Sequence, residues 1–128
     1  MLPAFYEVDP LAVVWHGHYV KYFERARSAL MARLGYGYLE MRVSGYLWPV
    51  VDLHIKFVKP AVLQEPLTVR AEITEYEHRL RVKYAVRRTR TGEVLTRGHT
   101  LQVAVDARTG ELQYVCPQVL WDRLGVRP

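Results

Sequence analysis

Cysteine is almost missing: Cys116 stands alone among 128 residues. That excludes an intramolecular disulfide, and no CxxC pair or clustered Cys/His set offers a zinc site. No apolar run approaches the roughly 18 residues that cross a bilayer. The first residues also lack the basic start and apolar stretch of a secretory signal. Repeats, low-complexity tracts and Pro/Gly/Ser-rich linkers are absent too. These absences predict one domain over residues 1–128, in a reducing, cytoplasmic setting and without a membrane span. No Walker or GxGxxG loop is present, so any phosphate would have to be held by surface cations.

What is present suits a packed domain. Half of the residues are hydrophobic and 24% are charged, enough for a core without a metal or disulfide. The net charge of +5 comes mainly from arginine. Arg79, Arg81, Lys83, Arg87, Arg88, Arg90 and Arg97 fall in one stretch, which would attract phosphates. For most of them the plainer reading is the solvated face of a strand.

Periodicity divides the chain clearly. Ala4 to Val8 reads as a short strand ending at Asp9-Pro10. From His16 the spacing turns helical, with Tyr19, Phe23, Ala26, Leu30 and Leu34 on one face, and Gly35 and Gly37 offer a left-handed stop. After Gly45 the period drops to two. Val51, Leu53, Ile55 and Phe57 form a strand that ends at Pro60. Leu67, Val69, Ala71 and Ile73 form the next, and Leu80, Val82, Tyr84 and Val86 a third. A fourth runs from near Glu93 to Leu101, Val103 and Val105. Thr91-Gly92 and Thr109-Gly110 read as turns, and the tail from Pro117 to Leu124 as a short helix. The class is α+β: one helix of about five turns against consecutive antiparallel strands. One helix covers only one face, so the other face and the edges call for a dimer or larger assembly.

The densest unusual run is Asp9-Pro10-Leu11-Ala12-Val13-Val14-Trp15-His16-Gly17-His18-Tyr19, followed by Tyr22-Phe23-Glu24-Arg25-Ala26-Arg27. An Asp, a small residue, apolar residues, an aromatic, His, and Tyr three later resembles the 4-hydroxybenzoyl-CoA thioesterase-like hotdog family. Lys59-Pro60-Ala61 after the second strand and Glu65-Pro66-Leu67-Thr68-Val69 at the third extend the resemblance over nearly the whole chain. It implies a hotdog fold, a long central helix wrapped by an antiparallel sheet of about five strands, with dimers joining their sheets edge to edge.

The resemblance also implies an activity, the hydrolysis of an acyl-CoA to free acid and CoA. Asp9 corresponds to the family's catalytic carboxylate, as general base or nucleophile. A thiolate leaves readily, so one carboxylate and an oxyanion donor can suffice. Taken by itself, Asp9 reads as an Asx turn with Pro10. His16 falls where the family's helix begins, its backbone N–H aimed at the thioester carbonyl, and Gly17 would let substrate approach. Tyr19 is a substrate contact or a core residue. Glu24 reads as a partner of nearby Arg or Lys. Lys59, His78 and Arg79 are candidates for holding the CoA phosphates; Trp15, Tyr46 and Trp48 for lining the acyl pocket, with buried core the ordinary reading of each. Ala12 replaces the family's usual glycine, which bears on acyl size. No cofactor and no metal is implied, coenzyme A being part of the substrate. The expected partners are acyl-CoA and further copies of the chain, as homodimer or homotetramer, with an acyl carrier protein as another donor.

Two rivals stand beside this reading. A hotdog hydratase acting on enoyl or hydroxyacyl thioesters would carry a Gly-Asp-x-Asn-Pro-type signature, which is not found. A non-enzymatic module binding acyl groups or nucleic acid would use the basic stretch. The clean apolar alternation there fits a half-buried sheet better than a nucleic-acid platform.

Overall fold

The computed structural model describes residue 2, residues 16–61 and residues 65–128. The expected strand Ala4–Val8, the catalytic candidate Asp9, and Ala12 and Trp15 lie outside the described residues.

His16–His18 forms a 3-10 turn that runs into α1, Tyr19–Arg33. At 15 residues α1 has about four turns, and the 3-10 turn supplies the rest of the expected five. Tyr19, Tyr22, Phe23 and Met31 are buried along it, and Ala26 and Leu30 pack half-buried beside them. Gly35 ends this helix in the left-handed region, at φ 74°. Gly37 does not act as a stop. Its φ is −76°, and it opens a second helix, α2, Tyr38–Ser44. The periodicity missed α2 because none of its residues is buried, so it has no apolar stripe to read.

The strands follow as β1 (Tyr46–Leu47), β2 (Val50–Phe57), β3 (Leu67–Glu75), β4 (Leu80–Arg88), β5 (Val94–Gln102) and β6 (Val105–Asp106), and the tail forms α3 (Gln118–Leu124). The main antiparallel sheet has the order β2-β5-β4-β3, and β1 pairs with β6. Hairpins join β3 to β4 and β4 to β5, as the short turns require. β2 pairs with β5 rather than with the strand that follows it, which places β2 at one edge.

Two strand readings need correction. The expected fourth strand stops at Gln102, and Val105 belongs to β6 instead. Its inward face is not apolar, because Thr96, Gly98, Thr100 and Gln102 are the buried alternating positions. β2 alternates as expected, yet only Ile55 is even half-buried; Val51, Leu53 and Phe57 are 58%, 41% and 50% exposed. Among the described residues, the helix leaves this edge of the sheet bare. β4 behaves as read, with Leu80, Val82, Tyr84 and Val86 fully buried between outward Arg81, Lys83 and Arg87. No helix among the described residues is long and apolar enough to cross a membrane.

Candidate functional site

The start of α1 is chemically distinctive. His18 stands at the cap position but makes no side-chain capping bond, and the first turn holds no acidic residue. Neither the cap residue nor a first-turn carboxylate therefore neutralises the leading N–H groups and the positive end of the helix dipole. Such an end favours an oxyanion. His16 opens the turn into this end, and Gly17 and His18 beside it are half-buried.

Tyr19, the first residue of α1, is 2% exposed. Its ring meets those of Tyr22 and Phe57 edge-on, at 5.6 and 5.5 Å between centroids. Burial chiefly pushes the phenol above its ordinary pKa, and the charge of Glu65 adds to this. The Thr96 hydroxyl and the Ala61 backbone pull the other way. Tyr19 is thus a neutral, packed residue at the edge of a polar cluster, which favours its core reading.

That cluster was not foreseen. Glu65 pairs with Arg88, and Arg88 and Lys59 both reach Glu93 Oε1 at 3.1 Å. Lys59 first, then Arg88, holds the Glu93 carboxyl below the usual range; Glu65 chiefly raises Arg88. Lys59 was expected to be available to CoA, but in the free protein it is engaged with Glu93. Lys59 is 57% exposed, so this pair is weak and exchangeable. The sequence signal for the cluster would have been Glu65 and Glu93 placed to flank paired strand ends.

His78 and Arg79 sit in the turn between β3 and β4. Arg79 bonds both oxygens of Glu75 at 3.1 and 3.2 Å, and His78 Nδ1 lies 2.9 Å from the Tyr114 carbonyl. The register separates them from the other candidates. Leu80 faces Gln102 at one end of the sheet, while Phe57 faces Thr96 near the other. Across a nine-residue strand that is about 25 Å. Within one chain, His16, Gly17, Tyr19 and Lys59 gather at one end, and His78 and Arg79 at the opposite end. Glu24 is exposed and forms no ion pair among the described residues; its expected Arg or Lys partner is absent because its side chain points to solvent.

Tyr46 and Trp48, read as acyl-pocket or core residues, line a cavity of about 480 Å³ with Met31, Tyr36, Met41 and Gln102. It lies at the C-terminal end of α1. From Tyr19 to Met31 the helix rises about 18 Å, so this cavity and the uncapped start of α1 are separate places in one chain.

Over residues 11–95 the sequence matches the Thioesterase superfamily. The chain belongs to that family. It is 37% identical over 70 residues to YneP of Bacillus subtilis, provisionally named an acyl-CoA thioesterase; the match covers 55% of this chain and 51% of YneP. The chain thus spans about half the length of that relative. A crystal structure of a DHNA-CoA thioesterase from Staphylococcus aureus superposes with a TM-score of 0.80 at 28% identity, over 89% of this chain and 76% of that one. The hypothetical protein TT1821 from Thermus thermophilus superposes at 0.83 and 29% identity, over 95% and 92%. The architecture is the hotdog fold, α+β as its strand and helix order indicates.

Proposed function

We propose that this protein hydrolyses an acyl-CoA to a free carboxylic acid and CoA. The observation that supports it most is the α1 start, whose cap residue makes no side-chain capping bond and whose first turn holds no carboxylate, in a chain of the Thioesterase superfamily. The names of YneP and of the Staphylococcus aureus DHNA-CoA enzyme favour CoA thioesters as the substrate class.

In this reading the thioester carbonyl oxygen accepts from the His16 backbone N–H, and the helix end stabilises the oxyanion as it forms. Asp9, seven residues earlier in the chain, either takes a proton from the attacking water or attacks the carbonyl itself. The C–S bond breaks, CoA leaves as thiolate and is protonated, and water supplies the oxygen of the acid. Gly17 allows close approach, and Lys59, His78 and Arg79 serve the phosphates by exchanging their present partners. Because the last two stand far from Lys59 in one chain, a homodimer or homotetramer supplies both ends at one site. The bare β2 edge is the natural seam.

The test is free-thiol release from short, long and aromatic acyl-CoAs by the full chain. Asp9→Asn should lower turnover by about 10²–10⁴-fold. His16→Ala, which keeps the backbone N–H, should cost much less than His16→Pro, which removes it at a position where proline is otherwise tolerated. If the wild type releases no thiol from any of these substrates, the reading is wrong.

A further inference from the structure

The cation-rich stretch divides once the strands are paired. Arg79 is held by Glu75, and Arg88 by Glu65 and Glu93. Lys83, Arg87 and Arg97 are exposed, and none of them forms an ion pair among the described residues. Tyr84 stacks on Phe23 of α1, so its strand neighbours Lys83 and Ala85 point to the opposite side of the sheet.

Ala85 is the centre of this outer face. It stands opposite Arg70 on β3 and Arg97 on β5, and Lys83 and Arg87 flank it two residues away on β4. Opposite residues, and residues two apart, share one side of a sheet. Four exposed cations therefore surround one half-buried methyl group. They start about 10 Å apart across β4 and about 14 Å apart along it, and their long side chains can lean in over the methyl. Arg87 gives one bond to the Gly92 carbonyl at 3.4 Å, which leaves it further N–H donors.

This arrangement works against the fold. Lys56 on β2 stands opposite Arg97 and extends the row of charge, and like charges directly opposite are destabilising. Among the described residues the one carboxylate opposite any of the four is Glu72, across from Lys83, and it forms no ion pair there. Such an excess of positive charge favours an anion. No Phe, Tyr or Trp and no exposed large apolar residue stands around Ala85 on this face. The anchors of a protein partner and the stacked bases of a single nucleic-acid strand thus find no seat. A compact, highly charged anion needs neither, and three of the four cations are arginines, whose forked donors match phosphate oxygens.

We propose that the outer face of the sheet binds a compact oligophosphate over Ala85, its oxygens held by Arg70, Lys83, Arg87 and Arg97. The ligand is a short chain of linked phosphates, free or carried by a nucleoside. The site faces away from α1 and stands whether or not the α1 start hydrolyses thioesters.

The experiment is titration calorimetry of the full chain with inorganic tripolyphosphate, whose binding should weaken as salt rises. Ala85→Glu sets a carboxylate at the centre of the site, and Arg97→Gln removes one of its charges; each should weaken binding about tenfold or more. Arg33→Gln removes the same charge from the exposed last turn of α1, on the other side of the sheet, and should stay within about twofold. If Ala85→Glu fails to fold, the two arginine variants decide. Adenosine triphosphate separates the two sources. Tighter binding than tripolyphosphate, lost in the same variants, identifies a nucleotide as the carrier; equal or weaker binding identifies the bare phosphate chain. Equal weakening in Arg97→Gln and Arg33→Gln, no heat at millimolar concentration, or tighter binding of an oligoglutamate peptide or an oligothymidylate overturns the proposal.

Discussion

Phe23 on α1 lies flat against Tyr84 on β4, with ring centroids 4.4 Å apart and planes 6° from parallel. Gly98, paired with Tyr84 on the neighbouring strand, makes the room. A Cβ at Gly98 would sit 2.6 Å from Phe23 Cε2 and 2.5 Å from the His54 carbonyl oxygen. The Tyr84 hydroxyl then reaches Thr100 at 2.8 Å and receives Arg27 at 3.3 Å. Helix and sheet are locked by a stacked ring pair that depends on one missing side chain.

Gly98→Ala should therefore destabilise the fold by about 3 kcal/mol through overpacking. The contacted carbonyl is backbone and cannot swing away. Phe23→Ala should cost about 3–5 kcal/mol by leaving a cavity. Urea unfolding of both variants checks this. Combining them should cost less than the sum, because removing the ring relieves part of the clash.

His99 stacks on His54 across β5 and β2, 5.3 Å between centroids. Burial first, then Arg81 and His54, holds its pKa below the ordinary 6.5, with Asp52 opposing. The unfolded chain thus binds this proton more readily than the folded one. The stability contributed is full above pH 6.5 and is lost as pH falls from there through the folded value. His99→Gln should flatten this loss, seen as a smaller drop in urea midpoint between pH 7.5 and 5.5. Glu93 and Asp106 are shifted downward from carboxylate values, so their losses come at lower pH.

Cys116 is 3% exposed and its thiol is pushed up to about 11, chiefly by burial. At pH 8 about one molecule in a thousand would carry the thiolate that attacks a disulfide reagent. An aromatic disulfide reagent should label the native protein at least a few hundredfold more slowly than a free thiol. Adding urea through the unfolding transition should bring labelling to the free rate. Rapid labelling of the native protein would contradict this burial.

The β2 edge should pair with a second copy. Leu53 is 41% exposed at the β2 edge, on the same side of the sheet as Ile55 and Phe57, in a strand with a neighbour on one side only among the described residues. Leu53→Lys places a charge in that seam. Sedimentation should show the wild type as a dimer or tetramer and the variant shifted toward monomer. A monomeric wild type would remove the assembly from the proposed function.

Much of this architecture was legible in the residues. β3 and β4 show strict alternation because one side of each meets α1 and the other meets water. The Gly92 and Gly110 turns have the positive φ that glycine permits. β5 was harder. Its buried face carries Thr96, Gly98, Thr100 and Gln102, chosen for a ring stack, a hydroxyl bond and an amide bond, none visible to a hydropathy period. α2 escaped because none of its residues is fully buried and only Met41 among its apolar residues is even half-buried. At the site, the motif from Asp9 to Tyr19 pointed to the α1 start. The Lys59–Glu93–Arg88–Glu65 cluster joins residues far apart in sequence, and its pairing comes from strand register alone. Trp48 and Tyr46 were singled out as ring-bearing, but nothing local placed them at the far end of the helix.

The bare face of β2 makes concentration a folding variable. If two copies close over it, unfolding becomes a second-order equilibrium, and the thermal midpoint rises with the amount of protein present. Dilution then acts as a denaturant. Measurements at nanomolar assay concentrations and at micromolar biophysical ones would report on different populations of the same chain.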